Sequence, residues 1–145
     1  MLIPLFRISS WLHKCKVPLL PSFIYGVNRI VFSVVLPPSV QMGQRVTLAY
    51  QGLGTVIHAR AVIGSDVYIG PQTIIGGRSG EHAVPIIGNG VFVGAGARVL
   101  GPLTIGDGAT IAAGSVVIQD VLPGQTVAGV PARPINSHRK ENPNC

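Results

Sequence analysis

Four side chains in this 145-residue sequence carry an imidazole, the group whose ordinary pKa suits general acid–base work near neutral pH: His13, His58, His82 and His138. His58 directly follows Ile57 in a Val-Ile-His run, and His82 sits in a polar, glycine-rich stretch from Gly77 to Pro85 that also holds Arg78 and Glu81. His13 and His138 lie in the two end segments. Arg133, after Pro131-Ala132, is a guanidinium suited to a phosphate. Cys15 and Cys145 are the whole cysteine complement, too few for a disulfide framework, so a reducing, cytoplasmic setting is expected.

These groups need a scaffold, and its signature is a period of six. Aliphatic residues recur at Ile57, Ile63, Ile69, Ile75, Ile87, Val93, Val99, Ile105, Ile111 and Val117, with position 81 the one break. The next residue is mostly small, as at Gly64, Gly70, Gly88, Gly94, Gly106 and Ala112, so an imidazole at position 58 departs from the repeat. A second small or branched residue falls four after each aliphatic, for example Ala61, Val67, Thr73, Val91 and Ala97. Two inward side chains per six residues describe a short strand and a bend. Stacked, such units predict a parallel β-helix, since one alone cannot bury its apolar face. The glycine after each aliphatic marks either a tight approach or a positive φ.

Composition agrees with this all-β reading. Charged residues make up 11% against roughly 25% in an ordinary soluble domain. With 47% hydrophobic residues, 19 glycines and 12 prolines, both disorder and a helical bundle are excluded. The earlier repeats Leu36, Met42 and Leu48 join the series out of phase, because three extra residues fall around Gln51–Thr55. The excursion from Gly77 to Pro85 replaces one whole unit. Departures from a rigid repeat are where function concentrates.

The chain divides into an N-terminal cap over 1–35, a column over 36–121 and a C-terminal extension over 122–145. Net charge is +6, yet Arg7, Lys14, Lys16 and Arg29 give 1–35 a local +4 while the column is neutral. Nucleic-acid binding is therefore not expected. The spacing of Leu5, Ile8, Trp11, Leu12 and Cys15 predicts a helix over 5–16, ended by Pro18 and Pro21, with a second short helix over 22–32. This segment is expected to cap the first coil, to contact another subunit or to touch a membrane surface peripherally. No run reaches membrane-spanning length, and the N-terminus lacks the charge order of a signal peptide.

The hexapeptide series, the loop Ile75-Gly76-Gly77-Arg78-Ser79-Gly80, the runs Val93-Gly94-Ala95-Gly96-Ala97 and Ala112-Ala113-Gly114-Ser115, and the closing Ala128-Gly129-Val130-Pro131-Ala132-Arg133 resemble the hexapeptide-repeat acyltransferases. Serine O-acetyltransferases and short polysaccharide O-acetyltransferases are the most similar in look. The resemblance implies a left-handed β-helix, a homotrimer, and acetyl-CoA in the groove between columns, with no metal. It implies a histidine base on an acceptor hydroxyl and backbone amides at the oxyanion. Carried over residue by residue, it points to His58 and His82 for catalysis. Gly76, Gly77, Ala95, Ala113 and Arg133 are implied for the cofactor, and Tyr50 and Arg78 for the acceptor.

His82 lies where the serine enzymes carry an active-site histidine, with Val84 the other residue that fits that place. Their Asp-His pair, however, falls on Ala49 and Tyr50, and the assisting aspartate falls on Val35. These departures favour a sugar or polysaccharide hydroxyl as acceptor, with L-serine as the alternative. A non-catalytic scaffold and a zinc β-helix are the rivals, the latter requiring three histidine ligands where two are at hand.

Overall fold

A computed structural model describes residues 2–135; His138 and the rest of the tail lie outside the described residues. From Val35 onward the chain winds into the expected left-handed parallel β-helix. Each coil contributes one strand of two to four residues to each of three faces. The first face stacks Val56–Ile57, Ile74–Gly76, Arg98–Leu100 and Val116–Val117. The second stacks Gln41–Met42, Val62–Ile63, Ile86–Ile87 and Thr104–Ile105. The third stacks Thr47–Leu48, Tyr68–Ile69, Phe92–Val93, Thr110–Ile111 and Thr126–Gly129, with Ala132–Pro134 returning antiparallel on the last.

Strand register measures the irregularities. A regular coil advances 18 residues, as from Ile86 to Thr104. The insertion lengthens the step from Gln41 to Val62 to 21, and the excursion lengthens that from Val62 to Ile86 to 24. All ten aliphatics of the series are at most 2% exposed, and each buried isoleucine contributes about 1.5–3 kcal/mol over an exposed one. Thr73 enters the core because its hydroxyl donates to the carbonyl of Gly70 at 2.8 Å.

The glycines after the aliphatics answer to space. A Cβ on Gly70 would lie 2.5 Å from the amide nitrogen of Ala95, and one on Gly94 2.5 Å from that of Ala113. Neither has a positive φ, so the next coil, not backbone conformation, excludes a side chain.

Two helices precede the column, α1 (Leu2–Lys14) and α2 (Leu20–Phe32). Both start earlier than the spacing predicts. Pro21 opens α2 instead of ending the segment before it, since proline is well tolerated in a helix's first turn. Leu2 and Phe6 are buried in the column's core, and the amide of Leu2 donates to Oε1 of Gln51 at 3.1 Å. Helix α1 thus closes the column's lower end. Helix α2 leaves Phe23, Ile30 and Val31 exposed on one side. No helix among the described residues is long and apolar enough to cross a membrane.

Candidate active site

Three corners join the faces, and each irregularity belongs to one of them. Chain order puts His58 where the first face turns into the second. The excursion leaves the same corner one coil higher: the amide of His58 donates to the carbonyl of Ile75 at 2.8 Å, immediately before Gly76-Gly77. Higher still, the amide of Gly101 donates to the carbonyl of Gly76 at 3.0 Å. Near the top, Nη1 of Arg133 reaches Oε1 of Gln119 at 3.3 Å, just past the first-face strand Val116–Val117. His58, Gly76, Gly77, Arg78, His82 and Arg133 therefore share one edge of the column.

The other candidates do not join them. Tyr50, Ala95 and Ala113 follow third-face strands and mark the corner where the third face turns into the first. Tyr50 neighbours His58 in sequence but stands at the far end of the first face, because Val56–Ile57 runs between their corners. Tyr50 is 80% exposed, and Tyr50 and Gln51 take consecutive left-handed conformations, φ 51° and 56°. Non-glycine residues rarely adopt these, and their pairing at an insertion marks a segment held against local preference.

The excursion has internal order. A guanidinium nitrogen of Arg78 sits 3.3 Å from a carboxylate oxygen of Glu81, and the other oxygen is buried without a hydrogen-bond partner. That oxygen would lie 3.4 Å from a Cβ on Gly101, so the loop folds back against the coil above. Glu81, not among the residues singled out from the sequence, thus orients Arg78. Its signal was being the one acid between Asp66 and Asp107. His82 points outward, exposed.

His58 is half-buried, and its Nδ1 accepts the amide of Arg60 at 3.2 Å. With that lone pair engaged, the neutral ring carries its proton on Nε2 and presents a donor. Gly76 and Gly77 differ from the column's other glycines. The nearest atoms to a Cβ there would be 3.7 Å away, and neither φ is positive. Neither space nor backbone conformation demands glycine at these two places. Among the described residues no group of three His, Cys, Asp or Glu is placed to hold a metal ion.

Known proteins share this column. Residues 85–119 match the family described as bacterial transferase hexapeptide (six repeats). The chain is 36% identical over 132 residues to a serine acetyltransferase of Synechococcus elongatus, covering 89% of this chain and 53% of the relative. A solved serine acetyltransferase in complex with cysteine superposes with a TM-score of 0.87 at 30% identity, over 98% of this chain and 56% of the other. One in complex with CoA gives 0.81 at 31%, over 92% and 55%. The chain spans about half the length of the curated relatives it matches. It resembles the hexapeptide-repeat acyltransferases over its whole column.

Proposed function

We propose that this protein is an O-acetyltransferase that moves the acetyl group of acetyl-CoA to the hydroxyl of a small acceptor. The observation that carries it is the single edge gathering two imidazoles, two sterically unneeded glycines and two arginines on a column similar to serine acetyltransferases. Gly76 and Gly77 have room for the thioester arm to approach the backbone, and Arg133 offers an exposed guanidinium to a phosphate. Ala95 and Ala113, small and exposed, leave the opposite corner flat for the pantetheine.

Because these residues fall on two edges of one column, a complete site needs the third-to-first corner of one copy against the first-to-second corner of the next. Such a contact joins unlike surfaces, and repeated around an axis it closes a ring. A homotrimer satisfies this.

His82 takes the proton of the acceptor hydroxyl, whose oxygen bonds to the thioester carbonyl carbon. The carbon–sulfur bond then breaks, and the proton passes to the departing thiolate. His58, bound at Nδ1, donates from Nε2 to the carbonyl oxygen as negative charge builds there. Of the two histidines that the sequence points to, the occupied Nδ1 of His58 leaves the base's part to His82.

The relatives' names favour L-serine as acceptor over the sugar hydroxyl expected first. The sugar remains the second reading, favoured by Ala49 and Tyr50 at the places of the serine enzymes' Asp-His pair. A thiol-release assay with L-serine against a panel of glycosides decides between them by the larger kcat/KM. In that assay His82→Ala is expected to lower kcat about a hundredfold or more, and His58→Gln less. Equal turnover by His82→Ala and the native chain would remove His82 as the base. Calorimetry showing no CoA binding at millimolar ligand would remove the function.

A further inference from the structure

A cleft of about 650 Å3 lies between α1 and the lowest coils of the second face, below the edge described above. Its helical wall presents Arg7, Ser10 and Lys14. Arg7 and Lys14, two turns apart, fall on one side of α1 with Ser10 between them. The opposite wall presents Ser39 and Gln41. Trp11 and Met42 add apolar surface.

The helix is fixed in place, for Leu2 and Phe6 are buried and Nη2 of Arg7 donates to the carbonyl of Gly43 at 2.6 Å. That bond aims the guanidinium while leaving its other N–H donors. Among the described residues no carboxylate pairs with this cluster. The sequence has no acid before Asp66, and Asp66 is itself held by Arg45. A basic last turn favours any helix through its dipole, which accounts for Lys14 but not for Arg7 in mid-helix or for the cavity facing it.

We propose that this cleft binds the phosphate group of a ligand, with Arg7 and Lys14 as its charge partners, Ser10 as a hydroxyl donor, and the ligand's organic body against Trp11 and Met42. The site rests on the cleft alone and stands apart from the acetyl-transfer reading. It reaches the first-to-second corner at Ser39, whose hydroxyl donates to the carbonyl of Ala59 at 2.9 Å. A ligand anchored there by its phosphate extends toward the corner that carries His58.

Two sources supply this chemistry, a soluble phosphorylated sugar and a phospholipid headgroup. The test titrates the full chain calorimetrically with glucose 1-phosphate, and in parallel floats it with phosphatidylcholine vesicles containing phosphatidic acid. Saturable binding to either probe is expected, weakened about tenfold or more in the R7Q/K14Q double variant. Lys16→Gln, an exposed base outside the cleft, should bind as the native chain does. Retention by vesicles alone assigns the phosphate to a lipid, and binding of glucose 1-phosphate assigns it to a soluble ligand. Lys14→Gln keeps the readout should loss of the Arg7–Gly43 bond disturb folding. Binding of neither probe, or equal binding by native and cleft variants, overturns the site.

Discussion

Two corners of the same column use glycine for opposite reasons. Where the third face turns into the first, Gly70 and Gly94 sit under the next coil so closely that any side chain would enter its backbone. Where the first face turns into the second, Gly76 has room for a methyl group at ordinary van der Waals contact, the excursion leaves, and an imidazole stands one coil below at the place the repeat usually gives to glycine. The first of these corners is specified by stacking and the second is released from it. The repeat therefore tells where bulk is forbidden, and the exceptions to it tell where bulk, or a ligand, is admitted.

The sharpest way to break this contrast is to put the same methyl group at both corners. Gly94→Ala forces the Ala112–Ala113 backbone to shift and should cost about 1–3 kcal/mol of stability in a urea titration. A value near zero would mean that the stack yields freely and that its glycines have no packing role. Gly76→Ala should stay within about 0.5 kcal/mol of the native chain, since nothing lies closer than van der Waals contact. Its expected effect is on ligand: CoA affinity falling about tenfold, or about 1.4 kcal/mol, by calorimetry. Unchanged affinity would return Gly76 to an ordinary place in the repeat.

The contrast also shows what the sequence could tell. Ile57, Ile63 and their successors announce an inward column because burial acts on each residue separately and leaves a mark at fixed spacing. The three-residue insertion and the Gly77–Pro85 excursion are equally legible, as shifts of that phase. The period of six is the same on all three faces, however, so it does not say which corner an irregularity occupies. Tyr50 and His58 read as neighbours for that reason, although the first face separates them. Nor does spacing reveal that Nδ1 of His58 is engaged by Arg60, or that Glu81 folds back on Arg78, since both depend on loop geometry. The basic cleft was half visible: the bases of 1–35 stood out, but the wall that they face is second-face surface brought there by winding.

The remaining corner, between the second and third faces, supplies a control with the smallest expected effect. There Arg45 grips Asp66 one coil above through two nitrogens, at 2.5 and 2.7 Å, adding an ion pair to close packing at Gly43, Gly64 and Gly88 like that of the third-to-first corner. The hydrogen bond from Arg45 holds the Asp66 carboxyl below its usual value, against the opposing effect of desolvation and with a lesser contribution from the guanidinium's charge. A carboxyl lowered on folding stabilises the fold above its unfolded pKa, and that contribution is lost as pH falls through the lower folded value. The pair is exposed, so solvent screens it and the effect should be well below that of Gly94→Ala. Asp66→Asn should therefore lower the thermal midpoint slightly at neutral pH, with the difference from the native chain closing below the ordinary carboxylate range. A difference that persists unchanged into acid would show that the corner is held by the shape of its turn and not by charge.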